Sequence, residues 1–181
     1  VQGMPGAALA QSMIMRNFEV GGFCAMISGA AEARRESVQQ LLELDQPVVL
    51  FQEKMELPDA DFCVVRQDDR GAGRLVGDHL LARRVSDFLA VVPAQHWPAI
   101  EERLGGIGES IAAAGGEARL TVIESASESF ADVQDAVARH LAHAPLPGAI
   151  IGGNDPIATA AMLYLFDHDI RVPEDVRVVG F

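Results

Sequence analysis

Short apolar runs alternate with longer stretches whose apolar residues recur at helical spacing, and the alternation persists along the chain. Gly22–Ser28 (GFCAMIS) predicts a buried strand ended by Gly29. Pro47–Phe51 and Phe62–Val65 predict two more strands. Between the first two, Ala31–Leu44 places Val38, Leu41 and Leu42 on one side and Glu and Arg on the other, the pattern of an amphipathic helix. Glu53–Asp61 is polar, contains a proline and reads as a loop. Gly71–Arg84 predicts a helix with Leu75, Val76, His79, Leu80 and Leu81 on its apolar side. The second half repeats the rhythm. Phe88–Val92, Leu120–Ile123, Ala149–Ile151 and Val176–Phe181 predict strands. Trp97–Ala114, Phe130–His143 and a segment from Pro156 to His168 predict helices. Gly115-Gly116 supplies a helix stop, and Pro156 suits a first helical turn.

Strands apolar on both faces, separated by helices of about 15 residues, indicate parallel sheet covered by helices on both sides. The expected class is therefore α/β, a parallel-sheet protein in two lobes. The pattern places a first lobe, with three strands, at residues 1–84 and a second, with four, at residues 85–181. The boundary falls near Arg83–Ser86. Ala7–Phe18 reads as a further helix whose apolar face needs a sheet to cover it. The last strand is still apolar at Phe181, and the expectation is a fragment of a longer protein, with both lobes incomplete.

Composition narrows the possible partners. Of 181 residues, 49% are hydrophobic and 22% charged, which suits a packed core rather than disorder. Asp and Glu number 26 against 14 Lys and Arg, for a formal charge of −12. That acidity excludes nucleic-acid binding by phosphate neutralisation through this chain alone, and argues against an anionic membrane surface. Residues 1–84 carry a net −3 and residues 85–181 a net −9. Cys24 and Cys63 lie in apolar, strand-like runs and read as buried free thiols in a reducing compartment. With no apolar run of about 18 residues and no secretory leader in view, the expected location is cytoplasmic.

The candidate chemistry is sparse. Gly71-Ala72-Gly73 with Gly77 follows a strand and opens a helix, as in a dinucleotide fingerprint. However, Asp68 and Asp69 stand where a pyrophosphate would sit, so close packing explains these glycines better. Gly105-Gly106-Ile107-Gly108 lies inside a helix and reads as a close-packing face. His140 and His143 lack further ligands nearby, so no metal is expected. His79 reads as a satisfied core or interface histidine. There is no G-x-S-x-G elbow, P-loop, H-E-x-x-H or nucleophile–base pairing, so neither a catalytic residue nor a cofactor is expected.

Several positions suit binding instead. Asn154-Asp155 follows a strand and opens a helix, where open α/β sheets place ligands. Asn offers both donor and acceptor, and Asp accepts two hydroxyls. Either residue also serves as an N-cap for the Pro156 helix. Trp97, the only Trp, stands at a helix start, to stack on a ligand ring or simply to pack. Arg103 is able to fork onto hydroxyls or a carboxylate, or to pair with Glu101 or Glu102. Gln52 occupies a strand end in the first half.

Together these motifs resemble the effector-binding region of LacI/GalR-type transcriptional regulators, a type I periplasmic-binding-protein fold, from about Ala10 to Phe181. The matching pieces include Val20-Gly21-Gly22-Phe23, Asp68-Asp69 with the following glycines and His79-Leu80, and Arg103-Leu104-x-Gly106. The most specific are Asn154-Asp155-x-x-Ala158 and Val172-Pro173-Glu174-Asp175-Val176, followed by Val178-Val179-Gly180-Phe181. Asp68-Asp69 stands where the family usually has Asp-Asn, and Gly21 where it has Asp.

The resemblance implies a dimeric, two-lobed sensor that binds a small effector between its lobes, by default a sugar or sugar-like polyol, with a nucleobase as an alternative. It places Arg103 and Asn154 at effector contacts, with Asp155, Gln52 and Trp97 as further candidates. Operator DNA would be bound only through a helix-turn-helix headpiece outside this chain, and the first strand–helix–strand of the first lobe would lie outside it too. The alternatives are a solute-binding protein of a sugar transporter and, more remotely, a nucleotide-binding α/β enzyme.

Overall fold

The computed structural model describes residues 21–27, 30–44, 46–51, 62–94 and 97–181. The expected Ala7–Phe18 helix and the 53–61 loop lie outside them. The chain divides into two compact units, Val1–Gln67 and Asp68–Phe181.

In the first unit, β1 (Phe23–Ala25), β2 (Val48–Phe51) and β3 (Cys63–Val65) form a parallel sheet in that order, with α1 (Ala31–Leu42) between β1 and β2. Side chains alternate across a strand. Phe23, Ala25, Val48, Leu50 and Val64 therefore share one face, where they pack with Val38 and Leu41 of α1. The same alternation turns Cys24 and Cys63 to the other face, one on each side of Val49 in register. Both thiols are exposed, not buried as their apolar neighbours in sequence suggest.

The second unit begins with α2 (Asp69–Ala82) and continues β4 (Asp87–Pro93), α3 (Pro98–Ala113), β5 (Arg119–Ser125), α4 (Phe130–Leu141), β6 (Ala149–Gly152), α5 (Asp155–Asp167) and β7 (Arg177–Val179). Its sheet is parallel, in the order β5-β4-β6-β7. The two central strands are buried over almost their whole length, whereas edge strand β5 mixes exposed and covered positions. This is why β4 and β6 read as continuous apolar runs. Phe88, Ala149 and Ile151 pack on one face with Leu80, Ile107 and Ile111 of α2 and α3. Leu89, Val91 and Ile150 pack on the other with Val133, Val137, Ile157 and Leu165 of α4 and α5. Each fully buried Val, Leu, Ile or Phe side chain among them contributes roughly 1.5–3 kcal/mol of transfer free energy.

Helix α2 belongs to this second unit, whereas the hydrophobic pattern places the lobe boundary after it, near Arg83–Ser86. The reason lies in its small residues. A β-carbon on Gly73 would overlap the backbone carbonyl of Arg103, and one on Gly106 would overlap that of Arg70. The bare glycines let α2 and α3 touch backbone to backbone. This inward face is Gly73, Gly77 and Leu80, so Leu75 is 73% exposed. His79, expected in a core or interface, is also exposed and lies 3.0 Å from Arg83 Nη1. Helix α3 ends as its glycine pair predicts. Gly115 and Gly116 have φ of 99° and 73°, and the Gly116 N–H donates to the Ile111 carbonyl at 2.9 Å.

Candidate functional site

The connection from β4 runs through α3 to β5 on one side, and the chain then crosses to β6 on the other side of β4. The carboxyl ends of β4 and β6 therefore flank the point where strand order reverses, the position at which open parallel sheets bind ligands. The Gly153 N–H donates to Val91 O at 2.8 Å and ties the two strand ends together. Arg103, Asn154, Asp155 and Trp97 all gather around this end of the second unit.

Arg103 comes from the second turn of α3 and is nearly buried, its side chain 13% exposed. Its Nε donates to Asp69 Oδ1 at 2.9 Å, and Nη2 lies 2.9 Å from the same oxygen. Nη1 donates to the Gly153 carbonyl at 2.8 Å. The guanidinium also stands over the Phe181 ring, 4.8 Å from its centroid, within cation–π range. A guanidinium has five N–H donors. Among the described residues these contacts engage three and leave two, one on each terminal nitrogen, in a plane fixed on three sides.

Asn154 is the N-cap of α5. Its Oδ1 accepts from the Ile157 N–H at 3.0 Å, and Nδ2 donates to Glu128 Oε1 at 3.1 Å. Capping and a polar contact thus coexist in one side chain, and among the described residues one Nδ2 proton is left over. Asp155 is exposed at the first position of α5, where the helix dipole favours a carboxylate. Its N–H donates to Phe181 O at 3.2 Å. Gly180 makes room for it, since a β-carbon there would overlap Asp155 Oδ1.

Trp97 is the half-buried N-cap of α3: its carbonyl accepts from the Ile100 N–H at 2.9 Å, and its side chain makes no capping hydrogen bond. Gln52 lies outside the described residues. Asp69, Glu128, Phe181 and the Gly153 carbonyl join the cluster without having been singled out. Asp69 left a signal, an acid where the resembled family has Asn, and Phe181 ends the Val178–Phe181 motif quoted for the resemblance. Arg103's partner is 34 residues away rather than on its own helix, and Glu102 pairs instead with Arg70 at 3.4 Å.

A separate groove of about 620 Å³ lies toward the other end of α5, lined by Met162, Leu163, Phe166, Ile170, Arg171 and Val172 among others. It holds none of the residues just described. Among the described residues, no three or more His, Cys, Asp or Glu are grouped to hold a metal ion. No described helix is long and apolar enough to cross a membrane.

Residues 77–181, from within α2 through β7 to the last residue, match the periplasmic binding protein-like domain. The chain belongs to that family. The curated HTH-type transcriptional regulator CelR of Thermobifida fusca is 29% identical over 143 residues, 79% of this chain and 42% of that protein. A LacI family transcriptional regulator from Enterococcus faecium, solved with bound ribose, superposes with a TM-score of 0.75 at 22% identity. The match covers 99% of this chain and 64% of that one. A CelR–cellobiose complex superposes at 0.74 and 26% identity, covering 97% of this chain and 51% of that one. This periplasmic binding protein-like chain thus spans less than two thirds of the relatives it matches. The α/β fold and the resemblance to a LacI-type effector-binding region, both expected from the motifs, agree with these matches.

Proposed function

We propose that this chain is the ligand-sensing core of a cytoplasmic LacI-type transcriptional regulator. It binds a small sugar effector and thereby controls operator binding by a helix-turn-helix headpiece elsewhere in the protein. The observation that carries the reading is Arg103 at the strand-order switch point, bonded to the carbonyl of Gly153 next to Asn154 and with two N–H donors unengaged among the described residues. A sugar offers vicinal hydroxyls at the spacing of a guanidinium fork. Each hydroxyl also donates, and Asp155 is there to accept. Ribose and cellobiose in the related regulators are sugars of this kind. The effector would act by population shift, stabilising one arrangement of the sensor and so changing the headpiece's grip on DNA. The relatives are regulators, which favours this reading over a transporter's solute-binding protein. The site binds and does not catalyse.

We also propose that the sensor works as a homodimer. Met162, Leu163 and Phe166 on α5 are 44%, 40% and 78% exposed beside the groove, an apolar surface for a second copy. Phe166→Glu should shift the full-length protein toward monomer in sedimentation; unchanged dimer would place the interface elsewhere.

The deciding experiment is a thermal-shift screen of the full-length protein against sugars, sugar phosphates and nucleosides, followed by operator binding with and without the hit. An effector at 100 times its Kd adds about 2.7 kcal/mol of stability. If Arg103→Ala and Asn154→Ala both leave sugar affinity unchanged, the site is elsewhere. If no sugar stabilises the protein, the sugar reading fails.

A further inference from the structure

We infer that Asp69 sets the charge selectivity of this site: by neutralising Arg103 in place, it restricts the ligand to uncharged polyols and rejects sugar phosphates and sugar acids. The inference rests on the sugar-binding reading above and names the class of sugar.

An arginine facing a pocket is ordinarily a receptor for an anion, because its fork matches carboxylate and phosphate oxygens and its charge is permanent. Here that charge is already matched. Asp69 is 7% exposed in its side chain, and its Oδ1 takes both Nε and Nη2 of Arg103 at 2.9 Å. The pair is fixed further by the Gly153 carbonyl on Nη1 and the Phe181 ring against the guanidinium face. What remains to a ligand is hydrogen-bond donors without net positive charge.

The surrounding groups push in the same direction. Glu128 lies against Asn154, and Asp155 opens α5 beside Gly180. Among the described residues of the site, one cation therefore stands with three carboxylates. An anionic group placed at the two free N–H donors would meet a local excess of negative charge. A neutral hydroxyl accepts from the same donors and loses nothing to that excess. The resembled family's Asn at this position would accept from Arg103 without cancelling its charge, so Asp69 is the residue at which selectivity turns.

The test is calorimetric titration of full-length protein with two pairs of ligands, ribose against ribose 5-phosphate and cellobiose against cellobionate, for wild type and Asp69→Asn. Wild type should bind the neutral member at least 100-fold more tightly. Asp69→Asn keeps an acceptor for Nε–H and should narrow that ratio at least tenfold by raising affinity for the anion. A purely structural role for Asp69 would weaken both members together. A wild type that prefers the anionic member, or an unchanged ratio in Asp69→Asn, overturns the inference while leaving sugar sensing intact. Should Asp69→Asn fail to fold, the wild-type ratio decides alone. Binding of neither member of either pair removes both the inference and the sugar reading beneath it.

Discussion

Arg103 Nε and Nη2 both reach one oxygen, Oδ1 of Asp69, at 2.9 Å across the contact between α3 and α2. The pair is nearly buried, and it joins the first turn of one helix to the second turn of its neighbour. Burying two charges is costly, so such a pair adds little net stability compared with apolar packing. Losing one partner is another matter, because the survivor stays buried and uncompensated.

A double-mutant cycle should expose that asymmetry. Arg103→Ala, which strands Asp69, is expected to cost about 3–5 kcal/mol in urea unfolding. Adding Asp69→Ala to it should recover part of the loss, giving a coupling energy above about 1 kcal/mol. Simple additivity would mean that the two side chains do not interact in solution.

Two glycines of α3 should respond to alanine with opposite signs. At Gly106 a β-carbon would run into the Arg70 carbonyl on α2, which is backbone and unable to swing aside. Gly106→Ala should therefore destabilise by about 1–3 kcal/mol, as overpacking does. At Gly108 nothing lies within 4 Å of the added carbon. Gly108→Ala should stabilise by up to about 1 kcal/mol through helix propensity alone. Denaturant midpoints measured under one set of conditions check both.

This contrast marks how far the sequence could be read. The order of strands and helices was legible because most strands carry a short apolar run and the helices between them repeat at their own period. Asn154 and Arg103 could be named as candidates because each follows a strand at a short, readable spacing, and Arg103 does reach the carbonyl of Gly153 beside Asn154. Contacts between elements were not. Nothing near Asp69 in the chain points to Arg103, and a glycine's neighbour appears only when two helices meet. Cys24 and Cys63 show the same limit. Their apolar runs predict strands correctly, but in the three-stranded sheet the face they occupy is set by register, and that face is exposed.

Acid should weaken a defined contact within the loop that joins α5 to β7. Arg171 forks onto Asp175, with Nη2 at 2.6 Å from Oδ1 and Nε at 2.9 Å from Oδ2, while its own backbone N–H donates to Oδ2 at 3.0 Å. The Arg171 side chain first, and its backbone N–H second, hold the Asp175 carboxyl down from 3.8 to about 2. A carboxylate with a depressed pKa stabilises the fold above its unfolded value, and that stabilisation is lost as pH falls through the folded one. The melting-temperature difference between wild type and Asp175→Asn should be constant above about pH 5, shrink between roughly 4 and 2, and vanish below. A difference independent of pH would show that the pair is not formed.

Asn154 does two things, and two substitutions separate them. Its Oδ1 caps α5 through the Ile157 N–H, while its Nδ2 donates to Glu128 and, among the described residues, has a proton to spare. Asn154→Ala removes both and should cost about 1 kcal/mol of stability, the usual price of an N-cap. Asn154→Ser keeps an oxygen that caps as well as Asn does, so its stability should stay within a few tenths of a kcal/mol of wild type. Serine nevertheless lacks the amide donor and cannot span to Glu128 and a ligand at once. If the amide holds the effector, both variants lose sugar affinity in calorimetric titration while only the alanine loses stability. If Asn154 is a cap alone, the serine variant binds sugar as wild type does, and the ligand contact at this strand end must come from Asp155 or Arg103.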